Sequence, residues 1–177
     1  MIYNAPTKGE DGLYFVKVLN DDKRKSLVQL NKVKITDVSG EIIMHLGSDA
    51  NIDKIDDVDT QNLEAALENC ESWFGKKVSD GVIRGAYTST INAGSMTCDR
   101  IEATKVFNMH QEVIDFEAVQ PEKNCDVILE FAGIWFAKKA FGGHWNIVQV
   151  RVHEDPPVVE DVYPEEYAFD DEVETPQ

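Results

Sequence analysis

Strand-like segments recur through the first 153 residues, and this pattern constrains the fold more than any other feature. Segments 13–19 (LYFVKVL), 27–35 (LVQLNKVKI) and 41–46 (EIIMHL) are rich in β-branched and aromatic residues and are separated by turns. These three strands are predicted to form a meander with a charged hairpin tip at 21–25 (DDKRK). Further strands are predicted at 82–91, 100–107, 112–119, 126–137 and 144–153.

One segment has clear helical periodicity. Its apolar residues at helical spacing are Leu63, Ala66, Leu67, Cys70, Trp73 and Phe74. Asp59 or Thr60 can cap the N-terminus, because either side chain can accept a free backbone N–H, and Gly75 is a suitable stop. We predict a helix at about 60–74, after a polar loop at 47–59.

Seven or eight short strands with one helix fit a small closed barrel or a sandwich. We predict a mainly β fold over residues 1–153, an OB-fold-like β-barrel with one inserted helix, and a β-sandwich is the alternative. The most hydrophobic run, 126–137 (DVILEFAGIWFA), is long enough to cross a barrel, and Gly133 within it predicts a bulge or a bend.

The net charge of −16 is concentrated in two segments. Residues 154–177 hold ten acids and no Lys or Arg, and residues 49–71 hold eight acids against Lys54. Outside both segments, 15 acids face 16 bases, so the acidity is local. We predict that 154–177 is a disordered tail, because its Asp, Glu and Pro content cannot bury enough apolar surface.

Known catalytic and metal-binding patterns are absent from the sequence, so we expect neither an enzyme nor a cofactor. There is no Walker A, GxGxxG or GxSxG motif, the acidic loop 53–59 lacks the glycine and glutamate of a calcium loop, and the four histidines are scattered. Three distant cysteines without a CxxC pair argue against disulfides and zinc. With no apolar run of membrane-spanning length and no signal-like N-terminus, an intracellular location is expected, in host cytoplasm or nucleus if viral.

The last two strands and their turn combine aromatic and basic residues. Trp135, Phe136, Lys138, Lys139 and Phe141 lie close together, and large aromatics near a hairpin tip are costly to leave in water unless something covers them. Alternation along 144–153 predicts a core face of Val148, Val150 and Val152. The opposite face is predicted to carry Trp145, Ile147, Gln149 and Arg151, which can stack on bases and meet phosphates. The alternative is that Trp145 packs under a loop while Gln149 and Arg151 are only solvated.

Other predicted strands also carry basic and aromatic residues that could contribute to DNA binding, although each group alone is weaker evidence. The candidate residues are Lys32 and Lys34, Arg84 with Tyr87, and Arg100 with Lys105 and Phe107. A single charged pair is usually only a solvated surface, but the strands of one barrel can bring several pairs to one groove. In the tail, Tyr163, Tyr167 and Phe169 alternate with acids such as Asp170 and Asp171, which resembles the charge and stackable rings of a nucleic-acid strand.

Residues 129–136 (LEFAGIWF), Phe141-Gly142 and 145–150 (WNIVQV) resemble a C-terminal strand pair of single-stranded DNA-binding proteins from phages and large DNA viruses. The OB-like body with an acidic, aromatic-bearing C-terminus is similar to the same group. The resemblance implies strand protection and recruitment of replication enzymes during DNA replication, recombination or repair.

We therefore expect a non-catalytic protein that binds single-stranded DNA. Bases would stack on Trp145, Phe141 and one of Trp135 or Phe136. Phosphates would meet Lys32, Lys34, Lys138, Lys139 and Arg151. The tail would modulate binding and recruit replication proteins, no membrane partner is expected, and a homodimer is left open. The alternatives are a viral structural or assembly-adaptor protein with a β-sandwich fold, and an acidic chaperone for basic proteins.

Overall fold

The computed structural model describes residues 1–154, 163, 165–167, 169 and 170. The strands are β1 (Ile2–Tyr3), β2 (Thr7–Lys8), β3 (Tyr14–Leu19), β4 (Ser26–Asp37), β5 (Ile42–His45), β6 (Tyr87–Thr88), β7 (Ser95–Phe107), β8 (Val113–Ile114), β9 (Asn124–Phe136) and β10 (Phe141–Val152). The helices are α1 (Asp49–Glu68), α2 (Cys70–Phe74) and α3 (Asp80–Ala86), with a 3₁₀ turn at Phe116–Ala118.

The sheet closes on itself. Strands follow the order β4-β5-β7-β10-β9, and β9 pairs back onto β4. The β7–β10 pair is parallel, and the other pairs along this path are antiparallel. This is the predicted mainly β, OB-fold-like barrel, and not two separate sheets of a sandwich.

The predicted meander is wrong at its first step, because β3 does not pair with β4. Instead, β3 pairs with β9 at 133–135, while β4 pairs with the preceding segment of β9 at 124–131. Since β9 has 13 residues, it is long enough to carry both strands end to end along one edge. The antiparallel β4–β5 pair is as predicted.

The long helix α1 begins eleven residues before the predicted start, so the expected loop at 47–59 is wrong. Ser48 is the N-cap, and its side chain accepts a hydrogen bond from the Asn51 N–H at 3.2 Å. The buried Ile55 and Val58 extend the apolar face, and acids on the other side of the helix face water. The acidic composition therefore reflects a solvated helix face and not a loop. The region of one predicted helix is divided between α1 and α2.

Two of the predicted strands are largely helical or irregular in the structure. Segment 82–91 holds the C-terminal part of α3, which begins at Asp80, followed by the two-residue β6. Asp80 lies in the first turn of α3, where a carboxylate interacts favourably with the helix N-terminus. Segment 112–119 holds the short β8 and the 3₁₀ turn. The remaining predicted strands correspond to β3, β4, β5, β7, β9 and β10.

The predicted bulge in the hydrophobic run is confirmed. Between β9 and β10, His144 pairs with Gly133 and Trp145 pairs with Phe131, so Ala132 is the extra residue. At this bulge β3 passes very close to β9. A second bulge lies in β10, where Ile147 pairs with Leu129 and Gln149 pairs with Ile128. Val148 is therefore the extra residue of this bulge.

Candidate nucleic-acid interface

A groove of about 780 Å³ lies beside the β9–β10 turn. The turn, residues 137–140, carries Lys138 and Lys139, and the segment after α2 adds Lys76. The aromatic residues that line it are Tyr14, Trp73, Phe74, Phe136 and Phe141. None of the described residues that line this aromatic–lysine groove is acidic, although the chain as a whole has a charge of −16.

The floor of the groove is a cluster of aromatic rings. Phe136 stacks on Phe141 with centroids 5.7 Å apart and an interplanar angle of 7°. Phe74 contacts both rings edge-on, at 5.7 and 5.3 Å, and Trp73 contacts Phe136 edge-on at 5.9 Å. Such packing fixes the rings in place. Tyr14, half exposed at the groove, offers a more accessible ring.

The helix α2 supplies two of these rings from its last two residues and ends directly after them. Gly75 terminates it in a left-handed conformation with φ 73°, which a residue without Cβ adopts at little cost. The sequence places Trp73 and Phe74 on the apolar face of a helix, but it contains no signal that this face meets the β9–β10 turn. Tyr14, Trp73, Phe74 and Lys76 are thus site residues that sequence reasoning missed.

The predicted stacking residues Phe141 and Trp145 are both in the core. Phe141 is 1% exposed and Trp145 is 3% exposed, with the Trp145 ring 5.1 Å from that of Phe131. The bulge at Val148 shifts the alternation, so Trp145 and Ile147 share the inward side with Val150. The predicted exposed face of β10 is therefore wrong for Trp145 and Ile147, since a one-residue slip moves side chains to the other face.

The other predicted rings of this hairpin differ in exposure. Phe136 is 9% exposed at the groove floor, whereas Trp135 is partly buried and does not line the groove. Trp135 covers Gly142, where an added Cβ would lie 3.0 Å from its Cζ2. Of these two rings, one of which we expected to stack on a base, Phe136 is the one that lines the groove.

Tyr87 belongs to a partly buried hydrogen-bond network. Its hydroxyl donates to Asp59 Oδ1 at 2.5 Å and accepts from Asn62 Nδ2 at 3.1 Å. Burial and the Asp59 charge raise the pKa of Tyr87 above its usual range. Its ring packs edge-on against Phe141, so Tyr87 supports the groove from behind, while Arg84 is exposed on α3.

The remaining basic candidates lie on the barrel wall and not in the groove. Arg100 sits over the Phe116 ring, with its Cζ 3.8 Å from the centroid. Lys32 and Lys34 are exposed on β4, and Lys32, at a bulge with φ 55°, donates its backbone N–H to Asp126 Oδ1 at 2.9 Å. The last three, Lys105, Phe107 and Arg151, are neighbours on β7 and β10, where Phe107 and Arg151 line a second cleft.

The described tail residues lie in water. Tyr163 is 88% exposed, Tyr167 72% and Phe169 79%, and Asp170 is also exposed. Asp171 and most of the predicted disordered segment lie outside the described residues.

All three cysteines are free, and burial raises the pKa of Cys98 to about 12 and that of Cys125 to about 11.

Two general features of the described part of the chain bear on the site. None of its helices is both long enough and apolar enough to span a membrane. Within the same residues, no group of three or more His, Cys, Asp or Glu side chains is arranged to hold a metal ion.

The fold is similar to that of solved phage proteins. A C-terminally truncated single-stranded DNA-binding protein from bacteriophage Enc34 superposes with a TM-score of 0.54 at 11% identity, over 86% of this chain and 95% of that one. A structure of the Enc34 protein in complex with single-stranded DNA gives 0.50 at 11% identity, over 86% and 96% of the two chains. No curated protein sequence matches the chain. A family model matches residues 31–171, and the chain belongs to that family, a family of unknown function called DUF5871.

Proposed function

We propose that this protein binds single-stranded DNA through the aromatic–lysine groove. The observation that carries the proposal is the local chemistry of the groove, which combines three lysines and the half-exposed Tyr14 ring with an aromatic floor, while none of its described lining residues is acidic in a strongly acidic chain. Single-strand binders combine a positive track for the backbone with aromatic rings for the bases. The β9–β10 turn also corresponds to the loop between the fourth and fifth barrel strands, which contributes to oligonucleotide binding in OB-folds.

In this proposal the lysines contact phosphates and Tyr14 stacks on a base at the groove opening. Each stacked base contributes roughly 1–3 kcal/mol. Trp73 and Phe136, each 9% exposed, form part of the groove floor beneath the strand. The phage Enc34 protein, whose fold is similar, has been solved with single-stranded DNA, which supports the same ligand here.

The direct test is quenching of tryptophan fluorescence on titration with oligo-dT. We expect K138E/K139E to weaken binding and to flatten its salt dependence, because each lost phosphate contact on a single strand reduces the slope by about 0.7. K23E/R24E is the matched control, since it makes the same charge change in the turn after β3, at the end of that strand away from Tyr14. Equal loss in the two variants would reject the groove, and no binding by the wild type at low salt would reject the function.

We further propose that the acidic tail competes with DNA and recruits replication proteins, so that the protein acts inside the cell in replication, recombination or repair without catalysis of its own. The sequence supports this proposal, since 154–177 alternates acids with aromatic residues. Deleting 154–177 is expected to tighten oligo-dT binding and steepen its salt dependence. If the deletion leaves the affinity for oligo-dT unchanged, the tail does not compete with DNA. The groove proposal is not affected by that result.

A further inference from the structure

A second cleft, of about 360 Å³, lies on the outer wall of the barrel between β4, β7, β9 and β10. We call it the amide cleft, after the four amide side chains that line it, those of Gln29, Asn108, Gln111 and Gln149. Phe107 and Arg151 also line the cleft and add an aromatic ring and a guanidinium group. Its volume is within the range of small-ligand pockets.

The strand register brings these residues together. Ile128 on β9 pairs with Gln29 on one side and with Gln149 on the other, so the two amides flank one apolar side chain. In the neighbouring row Arg151 pairs with Asp126 on β9 and with Phe107 on β7. The ring and the guanidinium therefore lie on adjacent strands of the same wall.

Arg151 is held in place by a buried carboxylate. Its Nε donates to Asp126 Oδ2 at 2.8 Å, Nη2 bonds the same oxygen, and His153 Nε2 is 2.9 Å from that oxygen. Asp126 is 7% exposed, and its other oxygen accepts the Lys32 N–H. None of the described residues bonds Nη1 of Arg151, so part of the guanidinium remains available to a ligand.

The turn after β7 is also fixed from within. Asn108 Oδ1 accepts the N–H groups of His110 at 2.8 Å and Glu112 at 3.1 Å, and its backbone N–H bonds Glu112 O. Gln111 adopts φ 65°, which L-residues rarely do. The turn is thus an ordered wall of the cleft.

We propose that the amide cleft is a second subsite for single-stranded DNA, in which one nucleobase contacts Phe107 and is hydrogen-bonded by the amides of Gln111 and Gln149, whereas Asn108 serves to hold the turn. An amide side chain has both a donor and an acceptor, as a base edge requires, and the ring supplies a stacking surface. The unused Arg151 donor matches a phosphate or a base oxygen. Asp126, the one acid among the described lining residues, is already paired with Arg151, so it does not present an unpaired negative charge to the strand.

The inference rests on the proposed function, and the barrel geometry connects the two sites. Both lie on the β9–β10 pair, the cleft at Ile128 and the groove at Phe136. Eight residues of strand separate them, which corresponds to roughly 26 Å. A single strand that runs along this pair meets both sites, and a short oligonucleotide meets only one.

The test compares full-length F107L/Q149L with F116L/Q120L in titrations with dT4, which is too short to reach both sites, and with dT20. Both doubles replace one Phe and one Gln by Leu, but Phe116 and Gln120 do not line the cleft. We expect F107L/Q149L to lose about tenfold in affinity for dT20 and to keep its dT4 affinity at the groove. F116L/Q120L should match the wild type with both oligonucleotides, and thermal melting should show that both variants fold.

A second readout uses an oligonucleotide that carries 5-iodouracil in place of thymine. After ultraviolet irradiation, we expect cross-linked peptides from the wild type to include the one with Phe107. If dT20 binds the wild type but F107L/Q149L and the control bind it equally and no such peptide appears, the cleft is not a DNA subsite and the groove proposal stands. If neither oligonucleotide binds the wild type, the proposed function itself fails.

Discussion

The backbone of Val16 passes directly over Gly133, so that a Cβ at position 133 would lie 2.1 Å from the Val16 carbonyl oxygen and 2.6 Å from Phe15 Cζ. Gly133 also has φ 157°, at the margin of the region that favours glycine. The contact is where β3 joins the barrel, since Val16 pairs with Ile134 and Lys17 with Gly133.

Gly133→Ala is therefore expected to destabilise the protein by about 3 kcal/mol, because the added methyl group must displace backbone. Urea unfolding measures the change. Gly40→Ala is the control, since nothing lies within 4 Å of an added Cβ there, and it should stay within about 0.5 kcal/mol of the wild type. A comparable loss in both variants would contradict the close approach.

The start of α1 can be tested with two single substitutions. Ser48→Ala removes the side chain that caps the helix and should cost about 1 kcal/mol. Thr60→Ala changes the cap expected from sequence, but Thr60 lies inside α1 and donates to Asp56 O, so its change should stay within about 0.5 kcal/mol. The reverse order of the two effects in chemical denaturation would place the helix start near residue 60.

Asp126 is expected to make stability depend on pH in the acid range. Burial alone would raise the pKa of Asp126, but the adjacent His153 imidazole and the hydrogen bonds from the Lys32 N–H and Arg151 outweigh burial and hold this pKa below its ordinary value. A lowered folded-state pKa adds stability above the unfolded value of about 4, and this stability is lost as the pH falls through the folded value.

Asp126→Asn should accordingly cost about 2 kcal/mol at neutral pH, and the difference from the wild type should shrink below about pH 4. Unfolding midpoints measured from pH 7 down to pH 3 give the profile. Asp22→Asn, at the exposed turn after β3, is the control and should follow the wild type throughout. A constant difference across this range would show that the Asp126 charge is not responsible.

The position of the tryptophans predicts which of them reports DNA binding. Trp73 lines the aromatic–lysine groove, whereas Trp145 is in the core. Trp73→Phe should remove most of the fluorescence quenching by oligo-dT, and Trp145→Phe should preserve it. Binding of both variants, followed by anisotropy of a labelled oligonucleotide, separates loss of signal from loss of affinity. Loss of quenching in Trp145→Phe alone would contradict this prediction and show that Trp145 is the tryptophan that contacts DNA.

Local sequence determined much of the barrel and part of the candidate site. The β-branched and aromatic segments predicted β3, β4, β5, β9 and β10, since alternation and turn residues act within a few positions. The same local signals placed Lys138 and Lys139 in the β9–β10 turn and Phe136 beside it, and Gly133 at a bulge. Each of these features follows from neighbours along the chain.

Tertiary structure decided which faces meet. The extra residue Val148 in β10 turns Trp145 into the core, and alternation cannot reveal a bulge that depends on pairing with two other strands. Trp73 and Tyr14 reach the groove only because α2 packs beside the β9–β10 turn and β3 joins the end of β9. Sequence periodicity determined the strands and their turn, whereas contacts between residues far apart in the chain, which carry no local signal, determined the groove.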